Sequence, residues 1–163
     1  MEFLQNKQEV FIKEHVAVLA DTVQEILDIQ LTWKITENGN ITATFKVKKD
    51  AEFPDLPRFG IRLFLNERFD EVSYFGMGPQ ESYRDKHQAA SYGLYCSKVC
   101  DLHEDYIKPQ ENGSHFDCDY IEVTDGQAGL AVAAEQAFSF NASKYTQEDT
   151  FTFEFTIVPF GKR

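Results

Sequence analysis

The chain has 163 residues, enough for one domain around a single core, because a domain of this size buries roughly two thirds of its unfolded surface. Asp and Glu outnumber Lys and Arg by 27 to 16, and the formal net charge of −11 repels phosphate backbones and anionic headgroups, so neither nucleic acid nor a membrane is expected as a partner. Fifteen Phe and seven Tyr beside two Met and one Trp favour a pleated, half-buried surface over helix, and mostly β structure is expected.

The opening MEFLQNKQEVFIKEH lacks the basic end and long apolar stretch of a signal peptide, and no apolar run approaches the ~18 residues of a membrane span, so a cytoplasmic protein is expected. From Val10 to Val18 and from Val23 to Trp33 apolar residues recur with a mixed period, which fits strands or a short helix; the β-branched content favours strands. Glu37-Asn38-Gly39-Asn40 signals a turn, and Ile41 to Lys48 alternates apolar and polar residues, so the two runs predict a hairpin. Two prolines between Ala51 and Pro57 predict a loop. Short strands are expected over Gly60 to Leu65 and Glu71 to Phe75, separated by a charged turn at Asn66 to Asp70.

Gly76, Gly78 and Pro79 break the next apolar pattern, and Gln80, Glu81, Tyr83, Arg84 and Asp85 then crowd hydrogen-bonding groups onto one tight turn. Asp85 to Cys100 reads as mostly irregular, because Gly93 weakens a short helix there. A second polar loop, KPQENGSH, precedes an alternating strand from Asp117 to Thr124. Asp125-Gly126-Gln127 turns the chain into a strand from Gly129, with another segment at Phe138 to Ala142, and Thr150 to Val158 closes with a clean two-residue alternation. Most Phe residues and Trp33 fall on the apolar strand phase and are expected in the core. Many short strands with frequent turn signals, and no linker, predict one all-β domain over residues 1–163, an antiparallel β-sandwich.

The runs FGMGPQESYRDKHQAAS (75–91) and KPQENGSHFDCDYIEV (108–123) resemble the C-terminal β-sandwich, or small chain, of the family-two β-galactosidases, where GxGPxExYxDR-like and PxENG runs recur in this order. The likeness extends from about Val18 through LPRFGIRLFL to FSFNASKYTQED. It implies a galactose-mutarotase-like supersandwich lying beside a TIM barrel that holds both catalytic carboxylates, with no catalytic residue in this chain. It also implies strands before the point where this chain starts, so that the sandwich is incomplete and has exposed edges, and a pocket-reaching loop that this chain lacks between Tyr145 and Thr150. The chain is then a truncated product or the small subunit of a split enzyme, and its parent hydrolyses terminal β-D-galactosides such as lactose. The expected partners are the remaining β-galactosidase domains or a large subunit, and a galactoside through the parent. No cofactor is expected in this chain; Mg and Na are left to the parent enzyme.

Glu81, Tyr83, Arg84, Asp85, Glu111, Asn112 and His115 are the candidate substrate-binding residues, and all of these but His115 are assigned in the first place to loop architecture or a domain interface rather than to chemistry. Glu81/Asp85 or Glu104/Asp105 could supply a glycosidase's two carboxyls, although chance pairs are expected in so acidic a chain. His115 with Glu81 or Glu111 could serve as the acid and base of a mutarotase, making a stand-alone galactose-type binder or mutarotase the alternative function. Cys96, Cys100 and His103 lack the paired short spacings of a zinc site, so no metal is expected, and Cys96 and Cys100 read as small buried apolar groups. Three cysteines without a dense framework fit reduced thiols. A general interaction module forming a homo-oligomer through open sheet edges is a third reading.

Overall fold

A computed structural model describes residues 1–6, 8–21, 24–56, 58–108, 110–145 and 150–156. Two compact units divide the chain, Met1–Leu56 and Pro57–Arg163. Both are antiparallel sheets, so the expected all-β antiparallel class holds, and two such sheets are the ingredients of a β-sandwich.

In the first unit β1 (Glu2–Gln5), β2 (Glu9–Leu19), β3 (Glu25–Thr36) and β4 (Ile41–Lys49) pair in that order. The mixed period over β2 and β3 resolves as strand, because register pairs such as Val16↔Ile29, Ile12↔Trp33 and Leu31↔Phe45 place the apolar residues on one face. The β3–β4 turn forms at the expected Glu37-Asn38-Gly39-Asn40, with Gly39 at φ +84°. Leu27 is this unit's one fully buried apolar residue among those described. Trp33 is half-buried, not core, and its Nε1–H donates to Glu14 at 3.3 Å.

The second unit orders its strands β5-β10-β9-β8-β6-β7, with β5 at Ile61–Asn66, β6 at Glu71–Gly78, β7 at Ser91–Lys98, β8 at Ser114–Thr124, β9 at Gly129–Tyr145 and β10 at Thr150–Thr156. The core gathers Val72, Tyr74, Cys118, Ile121, Val123, Phe138, Phe140 and Ala142 from these strands. Val99 and Leu102 of a single 3-10 turn complete it.

Several expectations are corrected here. The stretch from Asp85 to Cys100 is not mostly irregular: β7 pairs residue for residue with β6, from Glu71↔Lys98 to Gly78↔Ser91. The two segments expected between Gly129 and Ala142 are one strand, β9. Cys96 and Cys100 are exposed and only Cys118 is buried, because β7 turns Cys96 away from the core. Among the described Phe residues Phe138 and Phe140 are the fully buried ones, while Phe3, Phe64 and Phe75 are exposed. Residues 157 and 158 of the expected last strand, and the 146–149 connection, lie outside the described residues. Among the described residues no helix is long and apolar enough to cross a membrane.

Candidate functional site

β6 delivers the first polar loop to the end of the sheet through Gly78, where a Cβ would stand 2.2 Å from the Tyr74 hydroxyl oxygen. Ser82, fully buried, then pins the loop down. Its N–H donates to the Ser114 carbonyl (2.7 Å), its hydroxyl donates to the Met77 carbonyl (3.1 Å), and its Oγ accepts from the Phe116 N–H (2.9 Å). Tyr83 and Lys86 exchange backbone bonds of 2.8 and 3.1 Å, which puts Arg84 and Asp85 at the tip of a tight turn.

The second loop is held as firmly. Asn112 Oδ1 accepts from the Glu104 N–H (3.1 Å), and the Asn112 carbonyl accepts from Asn141 Nδ2 (2.6 Å). Gly113 follows at φ +70°, with room for no side chain, since a Cβ would lie 2.4 Å from the Leu102 carbonyl oxygen. That backbone conformation aims the Gly113 N–H across to the first loop.

Glu81 receives it. The Glu81 side chain is only 5% exposed, and Oε1 accepts from Lys86 Nζ at 2.5 Å and from the Tyr106 hydroxyl. Oε2 accepts from the Gly113 N–H at 3.0 Å and, more weakly, from the Tyr83 hydroxyl at 3.4 Å. Four donors fill the roughly four lone-pair sites of a carboxylate. Burial alone would push the Glu81 carboxyl up, but the bonds from Lys86, Tyr106 and Gly113 outweigh it and hold the group below the ordinary carboxylate range. The same bonds, from Glu81 first and then Tyr106, raise the Lys86 ammonium. Burial, with the Glu81 charge behind it, pushes the Tyr83 phenol up to about 12.

An open pocket of about 330 Å³ lies over this knot, lined by Gln80, Glu81, Lys86, His87, Gln88, Ala89, Glu104 and Tyr106. Of the seven residues predicted from sequence only Glu81 lines it. Tyr83 supports Glu81 from the side, and Asn112 shapes the second loop. Glu111 turns away to pair with Arg58. Arg84 and Asp85 are exposed, and neither has a hydrogen-bond or ion-pair partner among the described residues.

His115 lies beneath the loops, 1% exposed, with its ring 4.5 Å from that of Tyr74 and 5.1 Å from that of Phe140. Its Nδ1–H donates to the Met77 carbonyl at 3.3 Å, and burial drives its pKa down to about 4 against the pull of Met77 and Glu81. A neutral, enclosed imidazole of this kind does not offer a mutarotase its exposed proton donor, and Glu111 is engaged elsewhere. Sequence reasoning missed Tyr106 as a Glu81 partner. An aromatic inside a charged loop carries no signal of the bond it makes 25 residues away. Among the described residues no three His, Cys, Asp or Glu side chains are grouped to hold a metal ion.

Both loops fall within residues 2–156, the span that matches the family model described as the β-galactosidase small chain. The chain belongs to the β-galactosidase small-chain family. The β-galactosidase of Actinobacillus pleuropneumoniae is 40% identical over 149 residues, which are 91% of this chain and 14% of that protein. The Staphylococcus xylosus β-galactosidase is 35% identical over 145 residues, 89% of this chain and 15% of the relative. That of Vibrio cholerae is 33% identical over 141 residues, 83% of this chain and 13% of the relative. This small-chain sequence therefore spans about one seventh of the length of the β-galactosidases it matches.

Proposed function

We propose that the chain is a non-catalytic sandwich portion of a β-galactosidase that hydrolyses terminal β-D-galactosides such as lactose, and that the acid and the nucleophile stand in the part of the enzyme outside it. The observation that carries this reading is the state of Glu81. Retaining glycosidases need two carboxyls about 5–5.5 Å apart, one of them an acid with a raised pKa. The central carboxylate of this site is instead ion-paired, held by four donors and depressed in pKa, the condition of a structural clasp. Glu81, Tyr83 and Asn112 then shape the loops, Glu111 is tied to Arg58, and Arg84 and Asp85 are left to face the remaining domains or large subunit. In this reading residues 1–163 belong to one supersandwich domain of a cytoplasmic enzyme. The galactoside is met through the parent, any Mg or Na belongs to the parent, and copies associate where a strand edge is open.

Purified chain is expected to give no turnover of a chromogenic β-galactoside, and a β-galactosidase lacking this portion is expected to recover activity when the chain is added. Turnover by the chain alone would overturn the reading. Titration with galactose is expected to give no heat; binding that is lost in Glu81→Ala would favour a stand-alone sugar binder.

A further inference from the structure

Two segments of the chain share a tripeptide and have opposite surroundings. Glu37-Asn38-Gly39 and Glu111-Asn112-Gly113 hold its only Asn-Gly pairs, and both glycines adopt positive φ, +84° and +70°. An asparagine amide is most open to attack by the next backbone nitrogen when glycine follows, because no Cβ hinders the approach. The Gly N–H loses its proton to hydroxide, the nitrogen bonds to the Asn Cγ, and the Cγ–Nδ2 bond breaks, the amide nitrogen leaving as ammonia with a proton from water. Water then opens the resulting succinimide at one carbonyl or the other, leaving aspartate or isoaspartate.

Around Asn38 little opposes this. Asn38 and Gly39 are exposed in the β3–β4 turn, and a Cβ on Gly39 would meet nothing within 4 Å. Asn38 Oδ1 accepts from the Thr36 hydroxyl and from the Asn40 N–H at 3.2 Å, but its Nδ2, the leaving group, donates to no described residue. One bond holds the attacking nitrogen, from the Gly39 N–H to the Thr36 carbonyl at 2.9 Å. A single solvent-exposed backbone bond at a loop tip belongs to the easily opened end of the range of local stabilities.

Around Asn112 every participating group is engaged. Gly113 is buried, the Leu102 carbonyl oxygen lies 2.4 Å from where its Cβ would stand, and its N–H donates to Glu81 Oε2 at 3.0 Å. Asn112 Oδ1 accepts from the Glu104 N–H at 3.1 Å, and Nδ2 donates to the Gln110 carbonyl at 3.3 Å. Cyclisation would break all of these bonds. It would also set a negatively charged nitrogen against the Glu81 carboxylate, a like-charge contact that partial burial leaves poorly screened.

We propose that Asn38 is a site of spontaneous deamidation in the folded chain, and that Glu81 protects Asn112, in the same tripeptide, from the same reaction. Surroundings set the two rates, since the local sequence is shared. Isoaspartate at position 38 routes the main chain through the former side chain, so the β3–β4 connection lengthens by a methylene, and each converted copy adds one negative charge to the −11 of the chain. The second loop, on which the clasp depends, keeps its length.

Ageing the purified 163-residue chain in mildly alkaline buffer tests this, with deamidation read by peptide mass spectrometry and isoaspartate by labelling with protein isoaspartyl methyltransferase. In native protein Asn38 is expected to convert at least about tenfold faster than Asn112, and in concentrated urea, where only the shared tripeptide counts, the two are expected to convert at similar rates. Glu81→Ala is expected to raise conversion at Asn112 at least about tenfold and to leave Asn38 unchanged, with Cys118 still closed to iodoacetamide as proof of a folded core. Tyr106→Phe weakens the clasp but spares the Gly113 bond, and Asn112 is expected to stay protected in it. If Glu81→Ala opens Cys118, Glu81→Gln serves in its place: it keeps an oxygen for Gly113 but removes the charge, and a smaller rise at Asn112 is expected. Native conversion at Asn38 no faster than at Asn112 overturns the proposal. So does an Asn112 that stays protected in a folded Glu81 variant, which would assign its protection to the Leu102 contact alone.

Discussion

The Glu81 carboxylate accepts the Gly113 N–H at 3.0 Å, closing a side chain of the first loop onto the backbone of the second, 32 residues further on. With the Tyr106 bond, this makes Glu81 the joint through which both loops hold one shape. Replacing Glu81 by Ala leaves the Gly113 and Tyr106 donors without their acceptor, while the largely exposed Lys86 returns to water. A loss of about 2 kcal/mol is expected, since an unsatisfied partly buried donor costs about 1–3 kcal/mol. Tyr106→Phe removes one donor and is expected to cost about 1 kcal/mol. Urea unfolding followed by tyrosine fluorescence measures both, and equal midpoints for wild type and Glu81→Ala would refute the clasp.

Acid should weaken the fold in two separable stages. His115 is depressed from 6.5 to about 4, so between those values the unfolded chain binds a proton that the folded chain refuses, and stability falls as pH drops through that window. At ~1.36 kcal/mol per pKa unit the loss approaches about 3 kcal/mol by pH ~4. Glu81 is lowered from 4.5, so its contribution is complete above that value and is lost as pH falls below it. Urea midpoints measured from pH 8 to pH 3 are expected to decline throughout. His115→Phe, whose ring keeps the packing on Tyr74 and Phe140, is expected to flatten the upper stage and spare the lower. An unaltered slope between pH 6.5 and pH 4 in that variant would assign the decline to other groups.

The β3–β4 and β8–β9 hairpins were legible because their turn chemistry is local: Gly39 and Gly126 adopt positive φ, and Asp125 Oδ1 accepts the Gln127 and Ala128 N–H groups at 2.9 and 2.7 Å. β7 was not legible, for an equally local reason. It carries Tyr92 and Leu94 on one face and Tyr95 on the other, so no alternation of hydropathy survives, and its register is dictated by β6. At the site, motif glycines and Glu81 stood out in the sequence, but the identity of the cation was settled by geometry. Lys86 reaches Glu81 because the Tyr83–Lys86 turn folds it back, whereas the neighbouring Arg84 is turned outward by the same bend.

Glycines of the same backbone class are expected to differ sharply in cost. Gly126→Ala meets nothing within 4 Å, so only the left-handed φ of +82° opposes it, about 1 kcal/mol. Gly113→Ala has the same kind of conformation, but its Cβ would lie 2.4 Å from the Leu102 carbonyl oxygen, which is backbone and cannot swing aside. Overpacking of about 1–3 kcal/mol then adds to the conformational cost, and the displaced N–H weakens the Glu81 bond. Urea midpoints are expected to fall at least twice as far for Gly113→Ala as for Gly126→Ala; a reversed order would mean that the second loop is not held against Leu102.

Thiol chemistry separates the three cysteines by their place in the sheet. Cys96 and Cys100 are exposed, whereas Cys118 is 0% exposed, and burial together with the neighbouring Asp117 charge pushes its thiol up to about 12. Attack on a reagent requires a thiolate, so Cys118 is shielded twice, by access and by protonation. Native protein treated with iodoacetamide near pH 8 is expected to gain two labels quickly, both mapped by peptide mass spectrometry to Cys96 and Cys100. A third label should appear only at the rate at which the second unit opens, and the urea concentration that exposes it should match the unfolding midpoint. Because Gly76 lies against Cys118, with a hypothetical Cβ 2.3 Å from its sulfur, Gly76→Ala is expected to force β6 and β8 apart and bring the third label forward to lower urea. Rapid labelling of Cys118 in the native wild type would mean that the core around Tyr74 and Phe140 is not closed.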